Sequence, residues 1–213
     1  MPRTAVIACE VFRDELEHLG VKGCRFLEQG LHRYPAELHV RLAAAVREAE
    51  NECGRIILVY GLCGGGLEDI SSASAELVFP RVHDCVHLFL GRRPESVCAD
   101  GKGSFHLTRG WIRYGKNPYT EYLELRKRFG QELAHWSCAE MVKNYGRVVF
   151  IRTLSEDNPA LEGEAEKFAR CFGLVPEQTA GDLWLLEALL AGRPDPMVGR
   201  LPAGSGIRRD QFP

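Results

Sequence analysis

The sequence predicts an α/β fold: a single doubly wound, mainly parallel sheet with helices on both faces. Three observations predict it. Short runs of β-branched and aliphatic residues are nearly continuous, as strands covered on both faces are. Segments with helical periodicity separate these runs, and the order reads β-α-β-α-β.

The elements follow in order. "TAVIAC" (4 to 9) is the first strand-like run, "CRFLE" (24 to 28) the second and "RIILVY" (55 to 60) the third. Between the last two lies "PAELHVRLAAAVREAENECG" (35 to 54), which opens on a proline suited to a first helical turn. It carries Leu38, Leu42, Ala45 and Val46 on one stripe and stops at a glycine. "ELVFPRV" (76 to 82) and "RVVFIRT" (147 to 153) complete the strands. Runs at about 4–8, 24–28, 55–60, 77–82 and 147–152 are expected in one sheet. Helices are expected over 119–144, from Pro159 to Cys171 and around "DLWLLEALLAG"; the tail "PDPMVGRLPAGSGIRRDQFP" reads as loop. The stretch at about 96–119 is rich in glycine and aromatics without a periodic face, so it reads as an inserted lid or hairpin. One domain over 1–213 is the expectation.

Composition narrows the function classes. With 27 Lys and Arg against 29 Asp and Glu, the formal charge is -2, which gives no global field toward nucleic acid. No apolar run approaches the roughly 20 residues that span a bilayer, and "MPRTAVIACEVF" has no apolar core followed by a small-residue cleavage site. A cytoplasmic, soluble protein with no nucleic-acid or membrane partner is expected. Eight cysteines, at 9, 24, 53, 63, 85, 98, 138 and 171, form no C-x-x-C unit. Zinc-ribbon and thioredoxin-type signatures are therefore excluded, and any site must be assembled by the fold from distant positions.

In an open α/β sheet, ligands bind beyond the carboxyl ends of the strands. Three of those ends carry a cysteine: Cys9 beside Glu10, Cys63 within "GLCGGG", and Cys85 after His83 and Asp84. Thiolates converging from three loops, with His83 or a non-protein group as fourth ligand, would suit a zinc or iron ion or an iron–sulfur cluster. Cys24, Cys53, Cys98 and Cys171 fall away from strand ends and read as packing residues. Glu10, Gln29, His32 and Asp84 are positioned to line the same crevice, with Gln29 and His32 equally suited to capping the next helix. His106 and Arg109, in "HLTRGWIRYG", fit a specificity loop or an exposed hairpin.

A second reading takes "GLCGG" as G-x-C-x-G, a nucleophile elbow with Cys63 as nucleophile and His83 as base, giving a hydrolase or amidotransferase. The downstream His-x-Glu of cysteine glutaminases is absent, since His106 and His135 are followed by "LT" and "WS". A phosphate-binding loop fails because no Lys follows the glycines.

Together "ACE", "LEQGLH", "ILVYGLCGGGL", "FPRVHDCVHLFLG", "LTRGW" and "VVFIRT" resemble the DUF1638 family of uncharacterised bacterial and archaeal proteins, over roughly residues 5 to 192. The resemblance implies that Cys9, Cys63 and Cys85 coincide with characteristic family cysteines. It also implies a partner in a methyltransferase or metallocofactor system, because members occur in organisms that use corrinoid-dependent methyl transfer. Gly65 stands where many members carry asparagine, which removes an amide from the loop. The cobalamin signature D-x-H-x-x-G is missing from "VHDCVHLFLG", so no corrinoid is expected on the chain itself.

Overall fold

The structure, a computed structural model, describes residues 3–91, 103–154 and 159–213. The chain runs β1 (Thr4–Cys9), α1 (Arg13–His18), β2 (Arg25–Leu27), α2 (Pro35–Ala49), β3 (Arg55–Val59), β4 (Glu76–Pro80) and α3 (Val86–Leu90). It continues through β5 (Ser104–Leu107), α4 (Arg109–Arg113), α5 (Pro118–Phe129), α6 (Gln131–Val142), β6 (Arg147–Arg152) and α7 (Pro159–Cys171). Last come β7 (Val175–Ala180), α8 (Trp184–Ala191) and β8 (Val198–Leu201).

Two compact units form, Met1–Pro94 with Asp182–Pro213, and Glu95–Gly181, where the sequence reads as one domain. In the first, five strands lie in the order β2-β1-β3-β4-β8. The first four are parallel, with Ala8 opposite Val59 and Ile57 opposite Val78. β3 is apolar because it is central: Ile56, Ile57, Leu58 and Val59 are all buried. In α2, Pro35 sits in the first turn and Leu38, Leu42, Ala45 and Val46 are the buried stripe, as their spacing predicts. Chain order reverses at β1 and β3, since β2 is added on one side of β1 and β3 on the other.

The tail departs from the expectation of a loop. β8 closes the sheet antiparallel to β4, with Gly199 opposite Phe79. A Cβ on Gly199 would lie 2.4 Å from Phe79 Cζ, so the ring occupies the space a side chain would need.

The second unit corrects the single-sheet expectation. β6 pairs with β5 and β7, parallel on both sides, in a separate three-stranded sheet. Its apolar run signals burial on both faces, and that signal is blind to which strands lie alongside. The lid or hairpin expected over about 96–119 lies partly outside the described residues, at 96–102; of its remainder, β5 pairs in parallel with β6 and leads into α4. Val148 and Phe150 of β6 pack with Phe168 of α7 in this unit's core.

Candidate functional site

The strand-order reversal places the ligand crevice of the first unit at the carboxyl ends of β1 and β3. Cys9 is the last residue of β1, and the glycine cluster follows β3 directly. Beyond the strands, the loops after β3 and β4 stay joined. Leu62 N–H donates to the Val82 carbonyl at 2.9 Å, and Cys63 N–H to the His83 carbonyl at 3.0 Å.

This joining explains the glycines. A Cβ on Gly61 would stand 2.6 Å from the backbone Cα and C of Asp84, and one on Gly66 would stand 2.6 Å from Leu38 Cδ2 on α2. The chain between them turns through left-handed backbone, with φ of 48° at Cys63, 70° at Gly64 and 104° at Gly65. A non-glycine residue held at positive φ costs of order 1–3 kcal/mol, which the surrounding loop contacts must offset.

The outcome is a thiol pair. Cys63 Sγ lies 3.7 Å from Cys85 Sγ. Cys63 is half-buried, while Cys85 is 8% and Cys9 6% exposed. The Cys63 thiol is pushed well up, first by its hydrogen bond with Cys85, then by burial and by charge on Cys85, Cys9 and Asp84. Burial raises the Cys9 thiol too, Cys85 raises it further, and the N–H groups of Val11 and Glu10 offset part of the effect. Cys24 is pushed up to about 12 by burial. The three strand-end cysteines therefore share one electrostatic neighbourhood, and negative charge there is costly without a cation. Among the described residues, no group of three or more His, Cys, Asp or Glu side chains is spaced to hold a metal ion. The pair supplies two positions, and a third donor requires Cys9 to turn in or an outside group to join.

Tyr60, the residue after β3, adds a polar atom the sequence analysis did not single out. It is 2% exposed, and among the described residues its hydroxyl has no hydrogen-bond partner. Burial holds the phenol well above its ordinary value, with Cys9, Cys85 and Cys63 the next contributors.

The other predicted residues divide. His83 is exposed, and its Nε2 sits 2.5 Å from the backbone oxygen of Pro213. Asp84 Oδ1 accepts from Val86 N–H and from His87 Nδ1, each at 2.9 Å. Partial desolvation by the neighbouring loop works against the charge of Asp84, whose side chain is 56% exposed, but His87 and the Val86 and His87 N–H groups outweigh that and hold the carboxyl below its usual value. His87 is itself buried and was missed; the i, i+3 spacing of Asp and His across a helix start is the signal that finds it. Glu10 pairs with Arg13 at 3.0 Å. Gln29 is buried, and its carbonyl lies 2.6 Å from His32 Nδ1. His106 and Arg109 belong to the second unit, in β5 and α4. A single 3₁₀ turn, Cys63–Gly65, stands where the G-x-C-x-G reading expects the chain to enter a helix.

The family described as "Protein of unknown function (DUF1638)" matches residues 26–190. The chain belongs to the DUF1638 family. Cys63 and Cys85 fall inside the matched residues of this DUF1638 chain, and Cys9 precedes them. No curated protein and no solved structure matches it. No helix among the described residues is long and apolar enough to cross a membrane.

Proposed function

We propose that this DUF1638 protein binds a soft metal ion through Cys63 and Cys85, with Cys9 as the third thiolate. One observation carries the reading: the sulfurs of Cys63 and Cys85 stand 3.7 Å apart. Two thiolates at about 2.3 Å from one tetrahedral ion are separated by roughly 3.8 Å, so the pair already has ligand spacing. Two further features support it. Buried thiols that resist ionising for want of a cation become favourable ligands when one arrives. The Tyr60 hydroxyl, without a hydrogen-bond partner among the described residues, lies in the same neighbourhood and is suited to hydrogen-bond a sulfur or a non-protein ligand.

Bound there, the metal would supply Lewis acidity or a carrier site, and zinc, copper(I) and iron all suit thiolates. Cys63 and Cys85 would hold it, and the loop contacts at Gly61 would fix their spacing.

The test is metal retention. Reduced protein is loaded anaerobically with zinc, desalted and analysed for metal and protein. Near-stoichiometric zinc is expected in wild type, with near-complete loss in Cys63→Ser and Cys85→Ser, because a thiolate donor becomes a poorly ionised hydroxyl. Cys9→Ser should weaken retention, and Cys171→Ser, in the second unit, should leave it unchanged. Equal metal in all four variants would refute the site. No retained zinc, copper(I) or iron in wild type would refute the function.

A further inference from the structure

We infer that Cys63 and Cys85 are also a redox pair, closed into a reversible disulfide by exchange with a low-molecular-weight disulfide. As a control on metal binding this rests on the proposed function; as chemistry of the two sulfurs it does not.

The geometry carries it. The sulfurs at 3.7 Å need to approach to about 2.05 Å, a closure of roughly 1.7 Å. The backbones bearing them are already neighbours, since Cys63 N–H donates to the His83 carbonyl at 3.0 Å. Gly61 meets the Asp84 backbone so closely that even a methyl group would not fit. A bridge therefore forms between loops already in contact, without the large backbone movement that makes bridges strained.

Exposure sets the order of events. Cys63 is half-buried and Cys85 is 8% exposed, so Cys63 meets the external disulfide first. Its sulfur gives up its proton as it attacks one sulfur of that disulfide, breaking the S–S bond to form a mixed disulfide and release one small thiol. Cys85 then attacks Cys63 Sγ, breaking the mixed disulfide and releasing the second small thiol. Two protein thiols are oxidised, one external disulfide is reduced, and the two thiol protons leave on the released thiols. Each sulfur loses its thiolate character in the bridge, so the closed form no longer offers the pair as ligands. Metal on the pair should in turn block the first attack.

The experiment uses full-length, reduced, metal-free protein incubated with oxidised glutathione, then alkylated and peptide-mapped. The expected result is loss of two alkylatable thiols and one linked peptide pair containing Cys63 and Cys85, reversed by dithiothreitol. Cys9→Ser should form the same bridge, whereas Cys85→Ser should stop as a glutathione adduct on Cys63. A wild-type adduct that persists on Cys63 beside a still-alkylatable Cys85 overturns the inference, as does a bridge to Cys9. In a second arm, zinc-loaded protein should oxidise several-fold more slowly. Retained zinc with an unchanged oxidation rate overturns the regulatory link. Bridge formation in a protein that retains no zinc, copper(I) or iron removes the metal reading and leaves the redox pair standing.

Discussion

Replacing Gly61 with alanine tests whether loop contact sets the spacing of the two sulfurs. The new Cβ would stand 2.6 Å from Asp84 Cα and C and 2.8 Å from its N. Ordinary contact between carbons is about 3.5–4.0 Å, so the loop after β4 must move by roughly 1 Å. Overpacking of this kind costs about 1–3 kcal/mol, and at about 2–4 °C per kcal/mol for a chain of this size the melting temperature should fall by roughly 2–12 °C. The displaced segment carries Cys85, so a shift of about 1 Å removes the 3.7 Å spacing that suits two ligands of one ion. Gly23→Ala is the control, because φ there is +69° but nothing lies within 4 Å of an added Cβ. It should cost about 1 kcal/mol through backbone strain alone and leave metal retention intact. Thermal unfolding by circular dichroism and zinc retention after desalting read both effects. If Gly61→Ala melted with wild type and retained wild-type zinc, the claim that loop contact fixes the sulfur pair would be refuted.

Four further outcomes are expected. Tyr60→Phe should raise the stability of metal-free protein by about 1 kcal/mol, measured by chemical denaturation, because a buried hydroxyl without a partner among the described residues is removed at little loss of packing; a fall would show that the hydroxyl is paired. Gly199→Ala should destabilise by about 1–3 kcal/mol through collision with Phe79, and a neutral result would refute the close β4–β8 packing. Phe168→Ala should cost about 3–5 kcal/mol, since its ring packs edge-on with Phe105 and Phe172 in the second unit's core, and a loss below about 1 kcal/mol would contradict that packing. The Glu50 carboxylate accepts from Ser72 Oγ at 2.6 Å and Ala73 N–H at 2.7 Å, and the Ser72 bond leads the causes that hold its pKa down. A depressed carboxylate contributes stability above its unfolded pKa of about 4.3 that disappears as pH falls through the folded value. Glu50→Gln should therefore melt below wild type at pH 7 and with it at strongly acidic pH; a gap that persists in acid would assign the effect elsewhere.

How legible each part was depends on what its side chains report. The central strand β3 was readable because Ile56 to Val59 are buried on both faces, and α2 because Pro35 and the 38/42/45/46 stripe give both start and face. The strand β7 was not, since "VPEQTA" is almost wholly exposed and lacks an apolar rhythm. β8 was hidden in a glycine- and proline-bearing tail, its strand character coming from pairing with β4 rather than from its own residues. Assigning β6 to the wrong sheet had a different cause: an apolar run records how deeply a strand lies, while its neighbours are set by contacts far along the chain. The placing of Cys9, Cys63 and Cys85 at or just beyond the carboxyl ends of β1, β3 and β4 was legible because each directly follows an apolar run that reads as a strand. Tyr60 and His87 were not, because each sits within or beside an apolar stretch that reads as core.

The chain leaves the first unit and returns to it through a clasp. Asp182 N–H donates to the Phe89 carbonyl at 2.9 Å, and the Trp184 indole N–H donates to the Gly91 carbonyl. Entry and exit are thus tied together by the first unit's own backbone, whatever lies between them. In polymer terms, the loop that must close before β8 can meet β4 is already pinched at its neck, and doubling the length of an unstructured loop adds only about 0.6 kcal/mol to its closure. Because the neck is closed within the first unit, the length of the stretch from 95 to 181 weighs little on bringing β8 to β4.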